Sequence, residues 1–277
     1  MNKFFIFLGL YSSIIFADPK LIKDPFFYEA VISGKPSVFL LGIVHTKGIE
    51  LSFFPEELWK LLTSSQVVFS EAQMALDIVP KMMRKPLSHS MKDLLDFKII
   101  ELMKSKSLNI ITLDNREEYN AALPYMNLML KHLYPSSRDL FSKKRNQAKK
   151  DRREEYFRQA YIQGDAEQVI SLSVSDNYEV PTIDNKSFTL SLQEASPRYK
   201  ALIELFDEGS LQKRNQTWLR KIIEEFNRSD RPISVVAGVI HFLEEYPGSL
   251  FHLLTENGFE VKRLSLEDIK EKAELLK

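Results

Sequence analysis

Two apolar runs far apart in the chain close on the same tetrapeptide pattern. Gly42-Ile43-Val44-His45 follows Val38 to Leu41, and Gly238-Val239-Ile240-His241 follows Val235 to Ala237. Ser37 to Val44 is rich in β-branched and large apolar residues without helical spacing, the composition of a strand buried on both faces of a mostly parallel sheet. Ile233 to Ala237 has the same character. Parallel pairing requires crossover connections, so helices are expected between the strands.

Those crossovers are legible. Pro55 with Glu56 and Glu57 is a helix-start signature, and Leu58, Leu61 and Leu62 share one face of the turn that follows. Gln66 to Ser70 is a second strand-like run, ended by Glu71. Met91 to Ser105 has helical apolar spacing, and Leu108 to Leu113 is a third short run, ended by Asp114. Glu118 to Gln163 is helical in character with an interruption near Pro135; residues 165 to 190 are polar, carry Pro181 and read as a connection; Leu202 to Phe206 and Trp218 to Phe226 read as amphipathic helices. Ser249 to Glu256 is a helix stopped by Asn257-Gly258, Phe259 to Leu264 alternates like an edge strand, and Leu266 to Lys277 is a charged terminal helix. The expectation is an α/β fold: one domain over residues 18–277, with a mainly parallel central sheet, flanking helices and a large helical insertion at about residues 118–230.

Residues 1–17 read as a secretory signal, with Lys3 ahead of the apolar stretch Phe4 to Phe16 and a cleavage point after Ala17. The stretch is shorter than the roughly 20 residues of a membrane span, so no stable anchor is expected after cleavage. The expected destination is exported, periplasmic or secreted. Cysteine is absent, which excludes disulfides, thiol nucleophiles and Cys-ligated zinc or iron–sulfur centres. Charge is balanced at 38 basic against 38 acidic residues, so nothing selects a nucleic-acid partner. The basic cluster from Lys143 to Arg153 is followed at once by Glu154 and Glu155 and reads as a solvated helix face.

In an open α/β sheet, ligand sites gather outside the carboxyl ends of the parallel strands. The groups at four such ends are His45, Glu71, Asp114 and His241, two imidazoles with one or two carboxylates, a set that suits a divalent metal such as zinc, manganese or cobalt. The glycine three residues before each histidine lets the backbone bend, or another segment approach, where the strand leaves the sheet. The other three of the five histidines, His89, His132 and His252, lie in loop or helix contexts. No H-E-x-x-H zinc motif, phosphate-binding glycine loop or Gly-x-Ser-x-Gly elbow is present, so metal-assisted or acid–base hydrolysis suits the chain better than covalent catalysis.

These residues resemble the TraB/GumN/PrgY family, which includes the Tiki proteins and whose hallmark is two distant Gly-x-x-His motifs. The similarity covers Phe39 to His45, the Pro55 helix, Glu71 (a glutamate in the family too), Tyr161-Ile162-Gln163-Gly164-Asp165, Arg214-Asn215-Gln216-Thr217-Trp218, Val235 to His241, and Gly258 to Val261. The chain departs from the family pattern at Leu113-Asp114 with Tyr119, where many members have Leu-Glu and a Gln, and at Ile43, where Gly-Thr often stands before the apolar residue. The resemblance implies a fold akin to erythromycin-esterase-like and haem-binding ChaN-like proteins, and metal-dependent hydrolysis of a peptide or protein substrate. In that reading His45, His241 and Glu71 hold the ion, Glu71 doubles as ligand or base, and Arg214 steadies an oxyanion or clamps a carboxylate. The alternative is a non-catalytic protein that sequesters a peptide or haem in the same cleft.

Overall fold

The computed structural model describes residues 21–45, 48–71, 94–114, 152, 154–174, 211–246 and 248–276. Among these residues six strands form one sheet: β1 (Phe27–Val31), β2 (Val38–Ile43), β3 (Val67–Ser70), β4 (Asn109–Thr112), β5 (Ile233–Gly238) and β6 (Glu260–Arg263), in the order β4-β3-β5-β2-β1-β6. The four strands β4, β3, β5 and β2 run parallel, while β1 pairs antiparallel with both β2 and β6. The fold is therefore mixed α/β with a mainly parallel sheet.

Every residue of β2 and of β5 is buried, as expected for central strands covered on both faces. Their register pairs Gly42 with Ala237 and Ile43 with Gly238, so the two Gly-x-x-His segments leave the sheet side by side. β5 also pairs with β3, Ser70 lying opposite Val236, and β3 pairs with β4, Ser70 lying opposite Thr112. Four parallel strands thus end along one edge. The late strand β5 is threaded between β2 and β3, the two strands that the first crossover joins.

Helix α1 (Glu56–Thr63) is that crossover and buries Leu58, Leu61 and Leu62; α2 (Leu95–Ser105) links β3 to β4. A third helix, α3, runs over 154–163, followed by α4 (Ala166–Val174), α5 (Gln212–Arg228), α6 (Leu250–Glu256) and α7 (Leu266–Glu274). Helix α1 packs against α7, and α5 against α6. Ser249 caps α6, Ser265 and Asp268 form a capping box on α7, and Gly258 takes a φ of +85° just after α6.

One expectation fails. Residues 166–174 are helix, not connection, because the Asp165 carboxylate accepts from the Gln168 amide at 2.9 Å and starts a turn that buries Val169 and Ile170. Gly164, at a φ of +74°, makes the break between α3 and α4, and a Cβ there would stand 2.3 Å from the Asp24 carbonyl oxygen. Strand β1 had no counterpart in the sequence reading. The expected signal segment 1–17, most of the basic cluster, and the expected helix at Leu202 to Phe206 lie outside the described residues. No helix among the described residues is long and apolar enough to cross a membrane.

Candidate functional site

Glu71 is the first residue beyond β3, and its backbone amide still bonds to the Val236 carbonyl of β5, which aims its side chain over the end of that neighbouring strand. There both carboxylate oxygens find donors. Oε2 accepts from the Gly238 amide at 2.9 Å, and Oε1 accepts from Arg214 Nη2 at 2.6 Å. The two motif histidines flank the same group, His45 Nε2 standing 3.7 Å from Oε2 and His241 Nε2 standing 3.7 Å from Oε1. These separations are longer than a hydrogen bond.

Each imidazole is held from behind through Nδ1. His45, two residues past β2, lies 2.7 Å from Asp96 Oδ1, a carboxylate in the first turn of α2. His241, in a short 3-10 turn that follows β5, lies 2.6 Å from Asn215 Oδ1 on α5. The Asn215 amide nitrogen donates to the Gly248 carbonyl at 2.9 Å, so its oxygen faces the ring and His241 Nδ1 is the donor. The His241 ring is also packed against Trp218, with centroids 4.3 Å apart.

Arg214 connects this cluster to the third strand end. Its Nε and Nη2 reach the two oxygens of Asp114 at 3.2 and 2.5 Å, a forked contact, and Trp218 Nε1 donates to the same carboxylate at 2.6 Å. The guanidinium also lies over the Trp218 ring, 4.7 Å from its centroid. Arg214 and Trp218 are four apart on α5 and so occupy one face of that helix. Asn215 sits beside Arg214 on the same buried side.

The exposures are graded. The His45 side chain is 51% exposed, Glu71 17% and Arg214 13%, whereas His241, Asp96 and Asp114 are buried. Burial pushes the Glu71 carboxyl up, but the Arg214 charge, then His241 and His45, override it and hold it well below the usual carboxylate range. Desolvation of the part of the His45 ring that faces the cluster pulls its pKa down, yet Asp96 and then Glu71 outweigh that and raise it to about 9. His241 is shifted down: burial dominates, and Glu71 offsets only part of it. Glu71 and Asp114 more than offset burial at Arg214 and raise its pKa.

The close approach explains Gly238. A Cβ there would lie 3.1 Å from His45 Nε2 and 3.5 Å from Glu71 Oε2, so the bare backbone leaves room for the cluster. Gly42 is different. Its Cβ would meet the Val239 Cα at 3.0 Å and Phe26 at 3.2 Å, which is a packing constraint, and its carbonyl accepts from the buried Tyr161 hydroxyl at 2.7 Å.

All five residues expected from sequence, His45, Glu71, Asp114, Arg214 and His241, are thus brought together. Asp96, Asn215 and Trp218 complete the arrangement and had not been assigned a role. His252 belongs elsewhere, its Nε2 on the Glu244 carbonyl in α6's surroundings, while His89 and His132 lie outside the described residues. The chain matches no family model, no curated protein and no solved structure at the level that marks a relative.

In kind, the donors suit a divalent ion: two imidazole Nε2 atoms face one carboxylate, and both rings are anchored through Nδ1 as metal-bound histidines usually are. In spacing they are drawn up as a hydrogen-bonded and ion-paired cluster. No group of three or more His, Asp or Glu side chains among the described residues is set at metal-holding geometry.

Proposed function

We propose that the protein is an exported, metal-dependent hydrolase of peptide or amide bonds whose centre is His45, Glu71, His241 and Arg214. The observation that carries this reading is the sharing of one carboxylate, Glu71, by two imidazoles and a guanidinium at the carboxyl edge of four parallel strands. His45, His241 and Glu71 are the residues that would hold the ion, zinc, manganese or cobalt being suited to these donors. When bound, such an ion acidifies a water and polarises a carbonyl.

The chain's own groups have separable tasks. Arg214 keeps Glu71 ionised, so the carboxylate serves as a ligand or proton acceptor at neutral pH. With Nε and Nη2 committed to Asp114 and Glu71, Arg214 organises charge before it clamps any substrate. His45 is the imidazole that substrate meets, being half-exposed, and His241 is the buried one. The fold akin to erythromycin-esterase-like and ChaN-like proteins, suggested by the TraB/GumN/PrgY resemblance, belongs to the same proposal.

Turnover of a mixed fluorogenic peptide library tests it, run with added zinc, manganese or cobalt and again with chelator. Cleavage should require the ion and fall at least about a hundred-fold in Glu71→Gln. A protein that cleaves nothing under any of these conditions contradicts the hydrolase reading. Non-catalytic capture is the second reading, favoured by the half-exposed His45 imidazole. Haemin titration distinguishes it: a Soret shift abolished in His45→Ala supports haem capture, and no shift excludes it.

A further inference from the structure

We infer that Asp96 is a positioning residue for His45, fixing the ring so that Nε2 faces Glu71. The inference rests on the proposed site, and it concerns a residue outside the four that compose it.

Asp96 is 3% exposed and sits among buried Leu95, Phe97, Ile99 and Ile100 in the first turns of α2. A carboxylate in such surroundings is costly unless paired. Helix capping does not account for it, since the N-cap of α2 is Leu94 and no side chain caps that end. One oxygen, Oδ1, is 2.7 Å from His45 Nδ1, and the other is buried with no hydrogen-bond partner among the described residues. His45 Nδ1 is therefore the contact that gives this carboxylate a purpose.

The arrangement is repeated on the other ring. Asn215 grips His241 Nδ1, and the Gly248 carbonyl in turn fixes Asn215. Two polar residues from two different helices thus reach the two motif histidines from behind, and both Nε2 atoms end 3.7 Å from the same carboxylate. His241 is enclosed by Trp218 as well, but His45 is half-exposed, and a half-exposed imidazole turns freely unless something holds it. Asp96 supplies that hold. Outer partners of this kind typically carry a roughly 10- to 100-fold effect on metal affinity or activity when removed.

The test compares Asp96→Ala and Asp96→Asn with the wild type and with His45→Ala. Long-range proton–nitrogen NMR reads the protonation of each ring nitrogen in metal-free protein, and calorimetric titration with zinc reads affinity. In its neutral form the wild-type His45 ring should carry its single proton on Nδ1, beside Asp96. Asp96→Asn retains an acceptor and should keep that signature, whereas Asp96→Ala should lose it and weaken zinc roughly 10- to 100-fold. The double variant with His45→Ala should bind zinc no more weakly than His45→Ala alone. If Asp96→Ala folds and leaves the His45 ring signals and zinc affinity unchanged, the inference is overturned. If zinc binds none of the proteins but the His45 signals respond to Asp96→Ala and not to Asp96→Asn, positioning stands and the metal reading falls.

Discussion

The Gly238 amide donates to Glu71 Oε2 at 2.9 Å, tying the second Gly-x-x-His motif to the carboxylate that both motif histidines face. The two motif glycines consequently differ in what they protect. At Gly238 an added methyl meets the half-exposed His45 side chain, which can yield, and the φ of −53° accepts any residue. Gly238→Ala should leave thermal stability within about 1 kcal/mol of wild type while lowering zinc affinity and turnover. At Gly42 the methyl meets backbone, so Gly42→Ala should cost about 1–3 kcal/mol in urea unfolding. Equal phenotypes for the two variants would contradict this division.

Arg214 neutralises a buried carboxylate as well as serving Glu71. Arg214→Met should destabilise by about 3–5 kcal/mol, because buried Asp114 keeps its Trp218 bond but loses the guanidinium paired with it. Arg214→Lys should recover part of the loss, lacking the fork. Chemical denaturation of both variants reads the difference, and a loss below about 1 kcal/mol in Arg214→Met shows that the pair contributes little.

The site was legible from sequence where its residues end strands. Apolar runs locate β2, β3, β4 and β5, parallel pairing aligns their ends, and the polar residue that stops each run is then automatically near the others. That logic reached His45, Glu71, Asp114 and His241. Arg214 came from motif resemblance, since a helix-borne arginine carries no mark of its own. Asp96 was hidden inside an apolar helical pattern, 51 residues from the histidine it holds, and only tertiary packing brings it there. Asn215 and Trp218 were legible as helix residues and not as partners. Helix α4 was concealed by the polar composition around it, its start fixed by a single Asp165 cap.

Acid and alkaline limbs of the stability profile should have different owners. The Glu71 pKa is lower folded than unfolded, so its contribution is present above the unfolded value near 4.5 and is lost as pH falls further toward the folded one. The His45 pKa is raised to about 9, so its contribution is full below the unfolded value near 6.5 and is lost as pH rises through about 9. Melting temperatures across pH should therefore show a flatter acid limb in Glu71→Gln and a flatter alkaline limb in His45→Gln. Limbs identical to wild type in both variants would refute the assignments.

The Tyr161 hydroxyl is the buried donor to the Gly42 carbonyl, linking α3 to the first motif. Tyr161→Phe should cost about 1–3 kcal/mol by leaving that carbonyl unsatisfied. Urea unfolding checks it, and an unchanged midpoint contradicts the role given to this bond.

Isothermal titration of the wild type, His45→Ala and His241→Ala with zinc addresses the shared site most directly. The prediction is one ion per chain in the wild type, with affinity reduced by each single substitution. Unchanged affinity in both variants would contradict a centre built from the two motifs.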